Sequence, residues 1–190
     1  MNEVKVEGLE PKTIENAHPV AAEILEKTKK AMGVVPNMYA GMAINPSLLD
    51  SYAYAYNSFR AHSGFSSVEQ EVILLSVAVE NNCDYCVAAH SFVGDKMSGV
   101  PTEITDAIRD GKPVSDKKLA ALSTFSKIMT SSRGNATQEE IDAFLAAGYT
   151  PEHVLGVITG IGVKTFSNYF NHINHTEVDA MFASRAWKKH

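Results

Sequence analysis

The feature that most constrains this chain is its punctuation: helix starts and stops recur at short intervals, while strand signals are nearly absent. His18-Pro19 opens a segment in which Val20, Ile24, Lys27 and Ala31 recur at helical spacing, and Gly33 ends it. A short stretch follows Pro36, and Asn45-Pro46 sets an N-cap and a first helical residue for a long helix toward Arg60. Ser67 with Gln70, or alternatively Ser66 with Glu69, forms a capping box ahead of the most apolar helix, expected over 68–80. Asn81-Asn82 marks a break or a tight re-initiation, and another helix is predicted from Cys83 to about Lys96, stopped by Gly99 and Pro101. In the second half Thr102, Ser115, Thr137 and Thr150 are the expected caps, with Gly111 and Gly148 closing helices. The last long helix should reach about Asn174, followed by a short one over 177–183. Connections are short, and neither a repeat nor a linker interrupts them. The reading is a single all-α domain of about eight helices over 1–190, with an N-terminal extension (1–17) and a C-terminal tail (184–190).

Composition excludes several function classes. The 190 residues are 45% hydrophobic and 21% charged, enough apolar side chain for a packed core and too much for a disordered chain. A net charge of -5 lacks the electrostatic footprint of a nucleic-acid binder, and the one dense basic cluster is Arg185, Lys188 and Lys189. The longest apolar runs, 72–79 and 154–163, fall well short of the ~20 residues that span a bilayer. No apolar stretch follows the first charged residues, so the expectation is a cytoplasmic protein whose thiols stay reduced unless they cycle. The run 154–163 is apolar on nearly every side and carries Gly156, Gly160 and Gly162, which predicts burial on more than one face. Tyr52, Tyr54, Tyr56 and Phe59 form an aromatic stretch suited to the core or to a subunit contact.

Only two cysteines occur, Cys83 and Cys86, and their spacing is the first pointer to chemistry. At 100° per residue, Cys83, Cys86 and His90 fall within about 60° of one another on one helix. Glu80 extends that stripe if the helix is continuous. If the helix restarts at Asn82, the pair sits on a fresh N-terminus, where free N–H groups lower thiol pKa values. The thiolate is the nucleophile, and His90, one turn after Cys86, is placed to take its proton. Cys83 is placed to resolve an oxidised sulfur as a disulfide. Competing readings are two buried spectator cysteines, or a zinc site completed by His90, His172 and His175 from separate helices. A thioredoxin-like motif would need strands that this chain lacks. His172 and His175 suit structural hydrogen bonds near a helix end, Lys164 suits a long side chain reaching the surface or, as the alternative, the lining of a cavity, and Trp187 suits docking of the tail on its own or a neighbouring subunit.

The stretch resembles the alkylhydroperoxidase AhpD and carboxymuconolactone decarboxylase superfamily. Glu71, eleven residues, Cys83-x-x-Cys86, three residues and His90 match the AhpD core pattern at every spacing, and the resemblance is strongest over about 66–96. The NYFNHINHTEVD segment at 168–179 is similar to the peroxidase-related subgroup. The resemblance implies an oligomerising helical fold with peroxidase or disulfide-reductase activity. It makes Cys86 the attacking thiolate and Cys83 the resolving thiol, with Glu71 and His90 relaying protons. One departure is Tyr85, which stands where the best-known members carry a second histidine. A phenol with a pKa of about 10 passes a hydrogen bond but is a poor base at neutral pH. Glu80 is the expected substitute for part of that relay.

These residues predict a homo-oligomer (dimer, trimer or hexamer) acting as a thiol-dependent peroxidase on a hydroperoxide. Electrons would come from a dithiol or protein reductant, with no bound cofactor and no metal required. Cys86 is the nucleophile, Cys83 the resolving thiol, His90 the base and Glu71 its orienting partner, with Tyr85 and Glu80 as accessory site residues. The alternatives are a decarboxylase-type lyase, whose branch lacks the cysteine pair, and a non-enzymatic redox sensor.

Overall fold

The computed structural model describes residues 6–188; residues 1–5 of the expected N-terminal extension and 189–190 of the expected tail lie outside it. Among the described residues there is no strand. The helices are α1 (Pro19–Met32), α2 (Asn37–Met42), α3 (Pro46–His62), α4 (Ser67–Glu80), α5 (Asp84–Val93), α6 (Thr102–Asp110), α7 (Lys117–Ser131), α8 (Gln138–Ala146) and α9 (Pro151–Asn174). A π turn, Gly94–Ser98, continues α5, and a 3-10 turn, Ala180–Arg185, stands where the short terminal helix was expected. No described helix is long and apolar enough to cross a membrane.

The caps explain most boundaries. Asn45 accepts from Leu48 N at 3.2 Å with Pro46 just inside α3. Of the two possible boxes before α4, the chain uses Ser66: its hydroxyl accepts from Glu69 N, and Glu69 Oε2 accepts from Ser66 N at 2.9 Å. Thr137 and Glu140 form the expected box on α8. At α7 the cap is Asp116, accepting from Leu119 N at 2.9 Å, rather than Ser115: a carboxylate at the positive end of the helix also gains from the dipole.

Helix α4 is the central strut. Residues 70–78 are all buried, and α5, α6, α7 and α9 pack around them. On its α7 flank, Phe125, Phe144 and Tyr149 stack with centroids 4.2 and 4.4 Å apart. Helix α9 reaches α3 and α4 through glycine: a Cβ on Gly156 would lie 2.7 Å from the Ser63 carbonyl, and one on Gly160 2.8 Å from Ile73 Cγ2. The expectation that 154–163 is buried on more than one face is corrected here. One face is buried, while Leu155 (65% exposed), Ile158, Phe166 and Tyr169 (63%) lie on the other, and Gly162 faces open space. The aromatic stretch of α3 divides likewise, with Tyr52 and Phe59 buried and Tyr54 exposed.

Two local features place the site. Helix α4 ends at Glu80, Asn82 takes a left-handed conformation (φ 56°), and Cys83 caps α5 in extended geometry. The helix therefore restarts, and α5 folds back against α4. The C-terminal segment then closes over α5 and α6. Arg109 donates to the Arg185 and Ala186 carbonyls at 2.8 and 3.0 Å, Trp187 Nε1 donates to the Arg109 carbonyl, and Arg185 pairs with Asp95 and Asp106. Trp187 thus docks on its own chain.

Candidate active site

Cys83 and Cys86 are both buried and unbridged. The break at Asn82 puts Cys83 at the N-cap and Cys86 in the first turn of α5, where backbone N–H groups lack helical acceptors. Burial works against a Cys86 thiolate, but the neighbouring Cys83 thiol, Lys164 and His90 together outweigh it and hold its pKa well below the usual thiol value. The bond that Cys83 gives to Cys86, together with burial, pushes the Cys83 thiol up. The two sulfurs therefore differ in protonation, Cys86 ionised and Cys83 a donor. Asn171 on α9 adds a further donor, its Nδ2 lying 3.2 Å from Cys86 Sγ and 3.7 Å from Cys83 Sγ.

Glu71 forms the hub behind His90. Its Oε2 lies 2.8 Å from His90 Nδ1, and its Oε1 accepts from Arg60 Nη2. Arg60 is fixed in turn by the Tyr56 hydroxyl at 2.7 Å and by Gln70 Oε1 at 3.2 Å. Burial disfavours the Glu71 carboxylate, yet His90 and Arg60 hold its pKa below the ordinary range. Burial and then the Lys164 charge push His90 down, and the Glu71 contact does not reverse this. The ring is therefore neutral at neutral pH, with its proton on Nδ1 facing the carboxylate and a bare lone pair on Nε2.

Cys86, His90 and Lys164 open on a cavity of about 90 Å3 walled by Tyr39, Tyr52, Tyr56, Tyr85, Met38 and Phe182. Met32, Tyr39, Tyr56 and Val93 also line a wider apolar groove of about 570 Å3, rimmed by exposed Tyr54 and Met97. The groove and the inner cavity share these walls, so the four side chains stand between solvent and sulfur.

The structure thus brings together Cys83, Cys86, His90 and Glu71, four residues from two helices that meet at the break. Tyr85 also lines the cavity, but its hydroxyl donates to Asp179 Oδ2 at 2.6 Å. Burial and Asp179 push its pKa up, so it stays protonated as a donor. Glu80 is not brought in: the restart of the helix rotates it off the stripe, and its charge faces Lys127 on α7. His172 and His175 are exposed, and no group of three or more His, Cys, Asp or Glu side chains among the described residues is gathered to hold a metal. Lys164 corrects the expectation of a surface-seeking side chain, being 1% exposed. Sequence reasoning missed Asn171, Arg60 and Asp179 as site residues and held cavity lining only as the second reading of Lys164. Asn171 and Asp179 fall inside the 168–179 segment, which was the signal for them.

Residues 46–125, from α3 into α7, match the family model of the carboxymuconolactone decarboxylase family. Over 96% of both chains, the fold is similar to that of a peroxidase-related protein from Ralstonia eutropha JMP134 described as an alkylhydroperoxidase AhpD core, with a TM-score of 0.82 and 15% identity. The chain thus has the AhpD-like helical fold, and its residues 46–125 resemble the carboxymuconolactone decarboxylase family. The same AhpD-like fold is found in a peroxidase-related protein from Silicibacter sp. TM1040, at 18% identity and a TM-score of 0.79 over 97% of this chain and 96% of the other. It is found also in the debrominase Bmp8, solved in complex with 2,3,4-tribromopyrrole, at 16% identity and a TM-score of 0.78 over 95% and 96%. No curated protein sequence matches the chain.

Proposed function

We propose that this AhpD-like protein is a thiol-dependent peroxidase. The Cys86 thiolate attacks the terminal oxygen of a hydroperoxide: an S–O bond forms, the O–O bond breaks, and the alkoxide leaves as the alcohol after taking a proton from water. Cys83 then attacks the sulfenic sulfur, forming the disulfide and releasing water, and a dithiol reductant returns both thiols. His90 Nε2 is the proton acceptor for Cys83 as it attacks, and Glu71 holds the ring in the required tautomer. The observation that carries this reading is a buried sulfur facing a cavity, with Asn171 donating to it and Lys164 and an Nδ1-anchored imidazole lining the same cavity.

A decarboxylase-type lyase would leave the paired sulfurs without a task. A cytoplasmic setting suits a cycle fed by a dithiol. The exposed apolar face of α9 suits packing against a second copy of the chain.

The test is sustained hydroperoxide consumption with a dithiol donor. Cys86→Ser should abolish it. Cys83→Ser should stop after about one turnover and leave a sulfenic acid that a 1,3-diketone traps. Full activity in Cys86→Ser overturns the proposal, and a single turnover by the native chain turns it into a sensor. Bromide release from 2,3,4-tribromopyrrole is the control for the Bmp8 chemistry.

A further inference from the structure

A buried ammonium group needs an anion, because leaving it unpaired in a dry interior costs several kcal/mol. Lys164 is 1% exposed on the inner face of α9, beside Val163 and Ser167. No described carboxylate lies within 4.0 Å of its nitrogen. The nearby buried carboxylate, Glu71, already spends its two oxygens on Arg60 and His90. Lys164 shares a cavity wall with Cys86, and its charge favours the thiolate there.

Of the other groups facing that sulfur, His90 is the one able to become cationic, and burial and the Lys164 charge push it toward the neutral form. From α5 come neutral His90, the Cys83 thiol and Tyr85, whose hydroxyl is committed to Asp179. From α3 comes Tyr52, a buried phenol, and from α9 the neutral amide of Asn171.

Resting on the reading of Cys86 as the nucleophile, we propose that Lys164 is a positioning residue, the counter-ion that keeps Cys86 ionised. The cation has a second consequence. A sulfenic or disulfide sulfur is uncharged, so oxidation strips Lys164 of its anion in a place where water cannot replace it. The pair therefore favours the reduced protein and makes the Cys83–Cys86 disulfide an easily reduced one, as happens wherever the reduced form is selectively stabilised.

The test uses the full chain, with Lys164→Met keeping length without charge and Lys164→Arg keeping charge. Thiolate absorbance at ultraviolet wavelengths gives the first titration midpoint, and equilibration with a dithiol/disulfide buffer gives the disulfide constant. Lys164→Met should raise the midpoint by about 1–3 pH units and favour the disulfide at least ~10-fold, while Lys164→Arg recovers most of both. A folded Lys164→Met protein with midpoint and constant unchanged overturns the proposal. Should that variant not fold, the same question is put by NMR titration of the Lys164 amine in the native chain and in Cys86→Ser. Loss of the sulfur anion should lower the amine midpoint, and an unmoved midpoint overturns the ion pair. A shifted midpoint in a native protein without turnover keeps the ion pair and sinks the peroxidase reading; turnover without any shift does the reverse.

Discussion

Replacing Glu71 by Gln exchanges one oxygen for an NH2 group and asks the buried hub an either-or question. In the native site one oxygen serves Arg60 and the other serves His90 Nδ1 at 2.8 Å. A glutamine has one acceptor. If its oxygen faced His90, its NH2 would confront the guanidinium, donor against donor beside a full charge. The oxygen therefore turns to Arg60, and the NH2 turns to His90 Nδ1, which must become an acceptor. The ring proton moves to Nε2, and the lone pair required near the sulfurs is gone. Breaking a buried ion pair costs about 3–5 kcal/mol. Arg60 is 22% exposed and keeps Tyr56 and Gln70, so a loss of about 2–3 kcal/mol in urea unfolding is expected. Hydroperoxide turnover should fall by at least ~100-fold, the lower range for a general base. Nitrogen chemical shifts of His90 report the tautomer directly. If Glu71→Gln still carries its ring proton on Nδ1 and turns over within about threefold of the native rate, the account of Glu71 as a tautomer-setting group is wrong.

Gly160→Ala should cost about 1–2 kcal/mol by urea unfolding: crowding against Ile73 and Phe59, about 1–3 kcal/mol, is only partly offset by up to ~1 kcal/mol of helix propensity. The same change at Gly162, which faces open space, should stabilise. Alkylation of Cys86 depends on its thiolate fraction. Because its folded pKa lies well below the ordinary 9.0, the rate should stay level as pH falls through the usual thiol range, while a free cysteine loses about tenfold per unit. The sign for stability follows: the Cys86 contribution is complete above the unfolded value and is lost as pH falls through the folded one. Ile158→Glu, on the exposed apolar face of α9, should shift sedimentation toward smaller species; an unchanged profile removes that face from the assembly.

Much of the fold was legible because helix ends are local events. A cap needs only its own next three residues, so Asn45 and Thr137 announced themselves, while Ser66 and Ser67 were separated only by the structure. The cysteine pair, His90 and Glu71 were legible for the same reason, lying within one stretch of twenty residues. What stayed hidden is what tertiary packing contributes. Whether α4 ran on through Asn81-Asn82 decided the fate of Glu80, and Asn82 settled that by adopting a left-handed backbone that asparagine tolerates. Lys164 and Asn171 reach the sulfurs from about eighty residues away. Their sign in the sequence was modest: Lys164, Ser167, Asn168 and Asn171 share a helical face with Gly156 and Gly160, and a face that polar and glycine-rich on an otherwise apolar helix has something polar to meet.

The closure of the cavity by Phe182 bears on how the protein is handled at the bench. That ring is held by residues after the last long helix, through Asp179 under Tyr85 and Arg185 clasped between Asp95 and Asp106. A purification handle fused behind Trp187, or a protease nick after Asn174, therefore acts on the reaction chamber and is no neutral choice. Preparations that differ only at this end should differ in how fast reagents reach the sulfur.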